Sequence, residues 1–203
     1  MQDLVAKILL EKQAVQINPS DPFTWTSGIK SPIYCDNRLL ISYPDAVSTV
    51  VLAFKEMVED MDFDVVAGTA TAGIPWAAFL AYELDKPMVY IRKKPKEHGT
   101  KSQIEGVMKK GQKVLLVEDL VSTGKSSLAA VDAIRKEGGI TNMVAAIFSY
   151  GFPIASDAFK NNNCRLETIT NFPILLEHLE SITDDQKADV LEFSKDPQNW
   201  KSM

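Results

Sequence analysis

The sequence has few cysteines and no long apolar run. Only Cys35 and Cys164 occur among its 203 residues, and they have neither the number nor the spacing of a disulfide framework or a zinc site. No stretch approaches the roughly 20 apolar residues that a membrane-spanning helix needs. No apolar N-terminal segment preceded by positive charge resembles a signal peptide. We therefore expect a cytoplasmic protein without a membrane partner.

Positive charge is also in deficit. The chain has 27 acidic residues against 22 lysines and arginines, which gives a net charge of −5 and a pI near 5.1. A nucleic-acid-binding surface usually needs the opposite excess, so small ligands or protein partners are favoured and no nucleic acid is expected. The hydrophobic content of 45% is sufficient for one α/β domain with a core of ordinary size, covering residues 1–203.

The most informative stretch is KVLLVEDLVSTGKSS, residues 113–127. Its apolar residues Val114–Val117 are typical of a strand buried on both faces of a parallel sheet. Glu118 and Asp119 follow at the predicted carboxyl end of the strand, which is where open α/β sheets bind ligands. A small-residue turn then precedes a helical pattern, Leu128–Lys136. The amide groups of such a turn and the positive end of the helix could hold a phosphate.

Two other interpretations of this stretch are open. Gly124-Lys125-Ser126 imitates the end of a nucleotide-binding P-loop, but that motif needs a glycine five residues before Gly124, where this chain has Asp119. The residues could also form an ordinary strand, turn and capped helix, in which Ser122 and Thr123 only cap. That interpretation does not account for two adjacent acids ahead of the turn.

The rest of the chain predicts an alternation of helices and strands behind a small N-terminal hood. Apolar residues at helical spacing indicate a first helix over Asp3–Gln13. Residues 14–36 are β-prone and cut by prolines and glycines, which indicates short hairpins. The hood covers roughly residues 1–40, with a C-terminal cover, and the core covers roughly residues 44–150. The further predicted helices are Pro44–Met61, Ile74–Leu84, Phe152–Lys160, Phe172–Leu179 and Asp184–Phe193, and the further strands are Phe63–Ala67, Pro87–Ile91 and Met143–Phe148, the last completing the sheet.

Two segments that follow predicted strands also suggest ligand contacts. Residues 68–73, GTATAG, form a small-residue turn that would let the backbone approach an anion closely. Residues 92–102 contain six basic side chains out of eleven, counting the histidine. Such a run is usually a solvated loop. Between two core strands, however, its lysines could stabilise an anionic leaving group.

The strand, the two acids and the loop ending in Thr123-Gly124 resemble the phosphoribosyl pyrophosphate (PRPP) motif of type I phosphoribosyltransferases. The resemblance implies an α/β fold with a mainly parallel central sheet flanked by helices and an N-terminal hood. It also implies that the acids hold the ribose hydroxyls, that the loop holds the 5-phosphate, and that residues 68–73 cradle pyrophosphate around a cis Ala70–Thr71 peptide. The PRPP contacts implied are Ala70, Thr71, Arg92, Lys93, Lys96, His98, Glu118, Asp119, Leu120, Val121, Ser122, Thr123, Gly124, Lys125 and Ser126.

Further spacing resembles the orotate phosphoribosyltransferases within that family. Arg92-Lys93, Lys96 and His98-Gly99 match their catalytic loop, and Ser27-Gly28 with Ser31-Pro32 matches their hood signature, so the likeness covers roughly residues 20–150. It implies the reaction of orotate with PRPP to give orotidine 5'-monophosphate and pyrophosphate in UMP biosynthesis. No direct protein ligand to Mg²⁺ is expected, since the ion would be held mainly by PRPP and water, and Asp119 is the one possible protein contact. The catalytic residues implied are Lys93, Lys96, His98 and Asp119, in a homodimer that shares loop 93–102 across its interface.

The sequence departs from the family pattern at three places. Ala72 replaces a lysine in the pyrophosphate turn, Thr26 replaces a hood lysine, and no arginine follows the strand that ends near Phe148. The orotate carboxylate therefore needs another partner. We expect Arg38, because a guanidinium can bind a carboxylate through two hydrogen bonds, with Lys30 as the alternative. Ser122 and the backbone of Tyr34 and Cys35 are expected to contact the ring, beneath a lid formed by the hood.

Two rival functions belong to different classes. One is a type I phosphoribosyltransferase that uses another base. The other is a PRPP-sensing regulator that binds without catalysing, but such a protein would be expected to carry a nucleic-acid-binding module, and the sequence shows neither a basic face nor a helix-turn-helix pattern.

Overall fold

The structure, a computed structural model, describes residues 1–25, 29–95, 102–179 and 182–200. The chain begins with the predicted hood. Helix α1 (Gln2–Glu11) buries an apolar stripe of Val5, Ile8 and Leu9. Four short strands follow, namely β1 (Val15–Ile17), β2 (Phe23–Thr24), β3 (Lys30–Ser31) and β4 (Ile33–Cys35).

The hood strands form two antiparallel pairs, β1 with β4 and β2 with β3. A 3-10 helix over Asn37–Ser42, which the sequence patterns did not predict, leads out of the hood. Its N-cap is Asp36, whose carboxylate accepts a hydrogen bond from the Arg38 amide. The two antiparallel pairs confirm the hairpins predicted from the prolines and glycines.

The hood leads into a six-stranded sheet with intervening helices. In chain order these elements are α2 (Pro44–Val58), β5 (Val65–Thr69), α3 (Gly73–Glu83), β6 (Met88–Ile91), β7 (Ile104–Glu105), β8 (Val114–Val121), α4 (Lys125–Lys136), β9 (Met143–Ser149), α5 (Pro153–Asn161), β10 (Arg165–Asn171), α6 (Phe172–Glu177) and α7 (Asp184–Lys195). The sheet order is β10-β9-β8-β5-β6-β7. Every pairing is parallel except β6 with β7, so the predicted fold class is confirmed.

Helices cover both faces of the sheet and create two apolar layers. On one face α2, α3 and the hood pack with α6 and α7, and Phe54, Trp76 and Phe172 are fully buried there. On the other face α4 and α5 pack over Leu116 and Val144. Such two-sided burial explains why the central strands are almost entirely apolar.

Trp25 joins the hood to the C-terminal cover. Its ring lies 5.2 Å from Tyr150, 6.2 Å from Phe152 and 5.8 Å from Phe193, measured between ring centroids. Trp25 therefore packs against the first apolar layer, which is the ordinary core role for a hood aromatic. Among the helices of the described residues, none has the length and apolarity to cross a membrane.

One fold prediction is wrong. Met143–Phe148 does not complete the sheet, because β10 pairs in parallel with β9 from Arg165↔Met143 to Asn171↔Ser149. The sequence RLETITN is mostly polar, because β10 is an edge strand with partly exposed side chains. The helix boundaries are closer to prediction. Thr183 caps α7 through a capping box, and Asn171 caps α6.

Candidate active site

The two acids lie within β8 rather than after it, because the strand continues to Val121. Both side chains nevertheless border one cleft. Glu118 faces α4, where Ser127 Oγ donates to its Oε2 atom at 3.2 Å. Asp119 faces the hood, where the Asn37 side-chain amide donates to its backbone carbonyl at 2.7 Å.

The acids lie where the strand order reverses. From β5 the chain adds β6 and β7 on one side, and from β8 it adds β9 and β10 on the other. The pairing of β5 with β8 ends at Gly68↔Val117, one residue before Glu118. Open α/β sheets bind ligands in the crevice that such a reversal opens at the carboxyl ends of the strands.

Burial makes this pair of acids unusual. Glu118 is only 4% exposed, and burial raises its pKa well above the ordinary range, with the adjacent charge of Asp119 raising it further. Burial also raises the pKa of Asp119, although a hydrogen bond from Glu118 and the charge of Arg38 act in the opposite direction. A bound cation or a ligand with hydroxyl groups would stabilise the charged form of these acids.

A cleft of about 280 Å³ opens above Glu118 and Asp119. A second cavity of about 430 Å³ lies beside it and shares Thr69, Ala70, Lys93 and Ser126. Larger grooves, of about 500 and 660 Å³, are lined by α2 with residues 61–63 and 84–86 and by α5 with β10, and the acid pair is absent from their described lining. The remaining residues that line the first cleft are Cys35, Asp36, Arg38, Thr71, Ala72 and Leu120.

The turn after β8 has the geometry expected of an anion-binding loop. Gly124 has a φ of 76°, in the left-handed region that favours glycine, and α4 begins at the next residue. A Cβ atom on Gly124 would lie 2.7 Å from Cε2 of Phe159 on α5, so the ring holds the turn against the domain. Thr123 and Ser126 remain exposed at the N-terminal end of a 12-residue helix, where an anion is favoured.

The turn between β5 and α3 adjoins the same cleft. The Ala70–Thr71 peptide bond is cis, as the family resemblance implied. Gly73 packs directly on β8, and a Cβ atom there would lie 2.5 Å from the Val117 carbonyl oxygen. This close approach places residues 69–72 beside Glu118, and Ala72 supplies no positive charge where the family pattern has a lysine.

The hood contributes Arg38, but this side chain already has a partner. Its Nε and Nη2 atoms donate to the two carboxylate oxygens of Asp36 at 2.6 and 2.7 Å. Arg38 borders the cleft with 62% of its side chain exposed. Lys30 instead donates to Thr24 Oγ1 at 2.7 Å, and the described lining of the cleft does not include it. The geometry therefore brings Arg38, rather than Lys30, to the acids.

The other predicted base contacts lie at different depths. Cys35 lines the cleft, whereas Tyr34 is 41% exposed and its ring lies 5.7 Å from that of Phe23. Ser122 is partly exposed on the turn after β8, and Val121 is buried, so only its backbone is available.

The basic segment reaches the cavities through its first residues. Lys93 is exposed and lines both, and Arg92 lines the second and forms an ion pair with Glu105 at 3.5 Å. Gln103 closes the base of the segment, since its side chain donates to the Arg92 carbonyl at 3.1 Å. The predictions for Lys96 and His98 fall on residues 96–101, outside the part of the chain that the structure describes.

Comparison with known proteins agrees with this geometry. A sequence model described as the phosphoribosyl transferase domain matches residues 50–171. The orotate phosphoribosyltransferase of Coxiella burnetii is 48% identical over 202 residues, which is 97% of each chain. The chain belongs to the orotate phosphoribosyltransferase family.

Two solved orotate phosphoribosyltransferases resemble the fold. The enzyme from Aeropyrum pernix has a TM-score of 0.76 and 32% identity, covering 85% of this chain and 96% of its own. The enzyme from Mycobacterium tuberculosis, in complex with PRPP, has a TM-score of 0.68 and 25% identity, covering 85% of this chain and 97% of its own.

Sequence reasoning missed two residues at this orotate phosphoribosyltransferase site. Asp36 borders the cleft and binds Arg38, and the fully buried Asn37 contacts Asp119. The available signal was the polar run Asp36-Asn37-Arg38 between the hood strands and the apolar Leu39-Leu40-Ile41. Periodicity could not show that Asn37 turns inward, because the 3-10 helix that orients it was not predicted.

Proposed function

We propose that this protein transfers the phosphoribosyl group of PRPP to N1 of orotate, giving orotidine 5'-monophosphate and pyrophosphate. One observation carries the proposal: the buried Glu118–Asp119 pair, the Gly124 turn and the residue 69–72 turn meet at the reversal of the sheet. Sequence identity of 48% to an orotate phosphoribosyltransferase, over 97% of the chain, supports the choice of orotate as the base. The reaction would supply UMP biosynthesis in the cytoplasm.

Each part of PRPP has a matching surface at the site. The acids would accept hydrogen bonds from the ribose hydroxyls, and the turn from Ser122 to Ser126 would donate amide hydrogens to the 5-phosphate. The pyrophosphate would lie against residues 69–72, where Lys93 lines the same cleft. N1 of orotate loses its proton to solvent and bonds to ribose C1 as the bond from C1 to the pyrophosphate oxygen breaks, and the electron pair of the broken bond leaves with pyrophosphate. Positioning and electrostatic stabilisation then account for most of the protein's contribution.

The donor atoms of the site suit Mg²⁺. Carboxylate oxygens are ligands that Mg²⁺ prefers, and it commonly binds through one or two of them together with substrate phosphates. Among the described residues no group of three or more acids, cysteines or histidines could hold a metal ion without help. We therefore propose that Asp119 contributes to a Mg²⁺ ion that is bound mainly through PRPP and water, where the ion would neutralise pyrophosphate charge.

The direct test is orotate consumption by the purified protein with PRPP and Mg²⁺. We expect orotate to be consumed and pyrophosphate released in equal amounts, with no release when uracil or a purine replaces orotate. Release with a purine alone would instead indicate a phosphoribosyltransferase for another base. PRPP binding without turnover of any base would indicate the alternative function, a PRPP-sensing regulator that does not catalyse a reaction.

We also propose a homodimer whose sites combine two subunits. Lys93 begins a basic segment with little apolar content to fold onto its own domain, and in the resembled family this loop enters the neighbouring site. In a two-fold dimer, each site would then contain one subunit's acids and the other subunit's Lys93, Lys96 and His98.

Subunit mixing tests this arrangement. Lys96→Ala and Asp119→Asn should each inactivate the enzyme, but a mixed dimer would carry both changes in one site and neither in the other. Equal random mixing makes half the dimers mixed, so activity should recover to about a quarter of wild type. If activity stays at the sum of the two variants after verified subunit exchange, the loop and the acids act in the same subunit.

A further inference from the structure

Asn37 is a buried amide that connects the hood to the proposed ribose site. It has no exposed surface, although asparagine is usually found at the protein surface. Its Nδ2 atom donates to the backbone carbonyl of Asp119 at 2.7 Å, across 82 residues of sequence. This bond joins the first turn of the 3-10 helix directly to the strand that carries the acids.

Asp119 lies at a point of β8 where neither neighbouring strand provides it with a paired residue among those described. The pairing with β5 ends at Val117, and the pairing with β9 includes Glu118 and Leu120 but no partner for Asp119 among the described residues. A carbonyl that is partly shielded from water needs a hydrogen-bond donor, and Asn37 supplies one. The amide therefore fixes the peptide plane between Asp119 and Leu120.

A second hydrogen bond orients the amide itself. Cys35 is buried, and its thiol donates to Asn37 Oδ1 at 3.2 Å. An asparagine side chain has one acceptor end and one donor end, so a donor at Oδ1 directs Nδ2 toward Asp119. The two hydrogen bonds therefore run in the same donor-to-acceptor direction, from Cys35 through Asn37 to Asp119, and they link β4 to β8.

We infer that Asn37 is a positioning residue, which sets the orientation of the Asp119 carboxylate for PRPP by holding the backbone carbonyl of Asp119. This inference rests on the proposed function, because it requires PRPP to bind over Asp119. Asn37 would not touch the substrate. Its effect would be limited to ligands that use the ribose acids, and it would not extend to pyrophosphate at residues 69–72.

The experiment compares PRPP with inorganic pyrophosphate as ligands, by calorimetry without a base and without Mg²⁺, so that the Mg²⁺ contact proposed for Asp119 does not link the two affinities. In Asn37→Leu, which is similar in size but cannot donate, PRPP affinity should fall about tenfold while pyrophosphate affinity stays within about twofold. The control is Asn171→Ala, which removes one asparagine bond to the backbone, the α6 cap to Ile174, on a strand two places from β8. It should leave both affinities unchanged.

The cysteine provides a second route if Asn37→Leu does not fold. Cys35→Ala removes the donor that orients the amide and should weaken PRPP binding about threefold, whereas Cys35→Ser keeps a donor and should restore it. Equal loss of PRPP and pyrophosphate affinity, or no loss in Asn37→Leu or Cys35→Ala, would overturn the positioning role. Failure of the wild-type protein to bind PRPP would instead overturn the proposed function.

Discussion

The turn at Gly124 offers a prediction whose size follows from the structure. Gly124→Ala adds a Cβ atom 2.7 Å from Cε2 and 3.2 Å from Cδ2 of the Phe159 ring, in a residue with a φ of 76°. The left-handed conformation costs an alanine about 1 kcal/mol, and overpacking a well-packed site costs about 1–3 kcal/mol more. The substitution should therefore lower the free energy of unfolding by about 2–4 kcal/mol.

A double variant separates the two contributions. Phe159→Leu alone should cost about 1–1.5 kcal/mol, because Phe159 is 3% exposed and the smaller side chain fills its site less well. With both substitutions the clash disappears while the backbone cost remains. The double variant should then be more stable than the sum of the single losses predicts, by about 1–3 kcal/mol.

The assay is urea unfolding of the four proteins at one protein concentration, analysed by linear extrapolation. Gly111→Ala is the matched control, since Gly111 has a φ of 87° and nothing lies within 4 Å of an added Cβ atom. It should show only the backbone cost of about 1 kcal/mol. Additivity of Gly124→Ala and Phe159→Leu within about 0.5 kcal/mol would refute the argument that the ring holds the turn.

Three further predictions concern the site and the buried thiols. Arg38→Ala should raise the KM for orotate about tenfold or more, since charged hydrogen bonds are lost, whereas Lys30→Ala should not; the reverse pattern would assign the carboxylate to Lys30. Burial holds the pKa of Glu118 above the ordinary glutamate value, so the folded protein retains a proton that the unfolded chain releases, and stability falls as pH rises above that value. Glu118→Gln cannot titrate and should flatten this dependence in urea unfolding between about pH 5 and pH 8; an unchanged slope would exclude Glu118 as its source. Burial also raises the pKa of Cys35 and Cys164, so neither thiol should react with a thiol reagent before urea unfolds the protein, and rapid reaction under native conditions would contradict their burial.

Local sequence patterns were sufficient to predict those elements whose environment restricts them to one kind of residue. Apolar runs predicted β8 and β9, and small residues predicted the turns at Gly68 and Gly124, because burial on two faces and close backbone approach each restrict composition. β10 was missed because an edge strand with one exposed face tolerates Arg165, Glu167 and Asn171, which make it look like a polar connection.

The parts of the site that depend on contacts between residues far apart in the sequence were harder to predict. Arg38 was predicted to bind the orotate carboxylate, and the sequence did not indicate that it also pairs with Asp36 in the folded hood. Asn37 and Asp119 are 82 residues apart, and no periodic pattern connects them. The orientations of the two acids also depend on β8 extending to Val121, beyond the apolar run that predicted it.

The reversal of strand order between β5 and β8 has a consequence for how the cleft was assembled. The turn of residues 68–73 and the basic segment belong to the half of the sheet that precedes Gly111, and the acids and the Gly124 turn belong to the half that follows it. Neither half contains a complete cleft. The crevice exists because the chain adds strands on opposite sides of β5 and β8. Side-chain changes at the edge of the crevice can therefore alter the base that is accepted, while the residues proposed to hold the ribose phosphate stay in place.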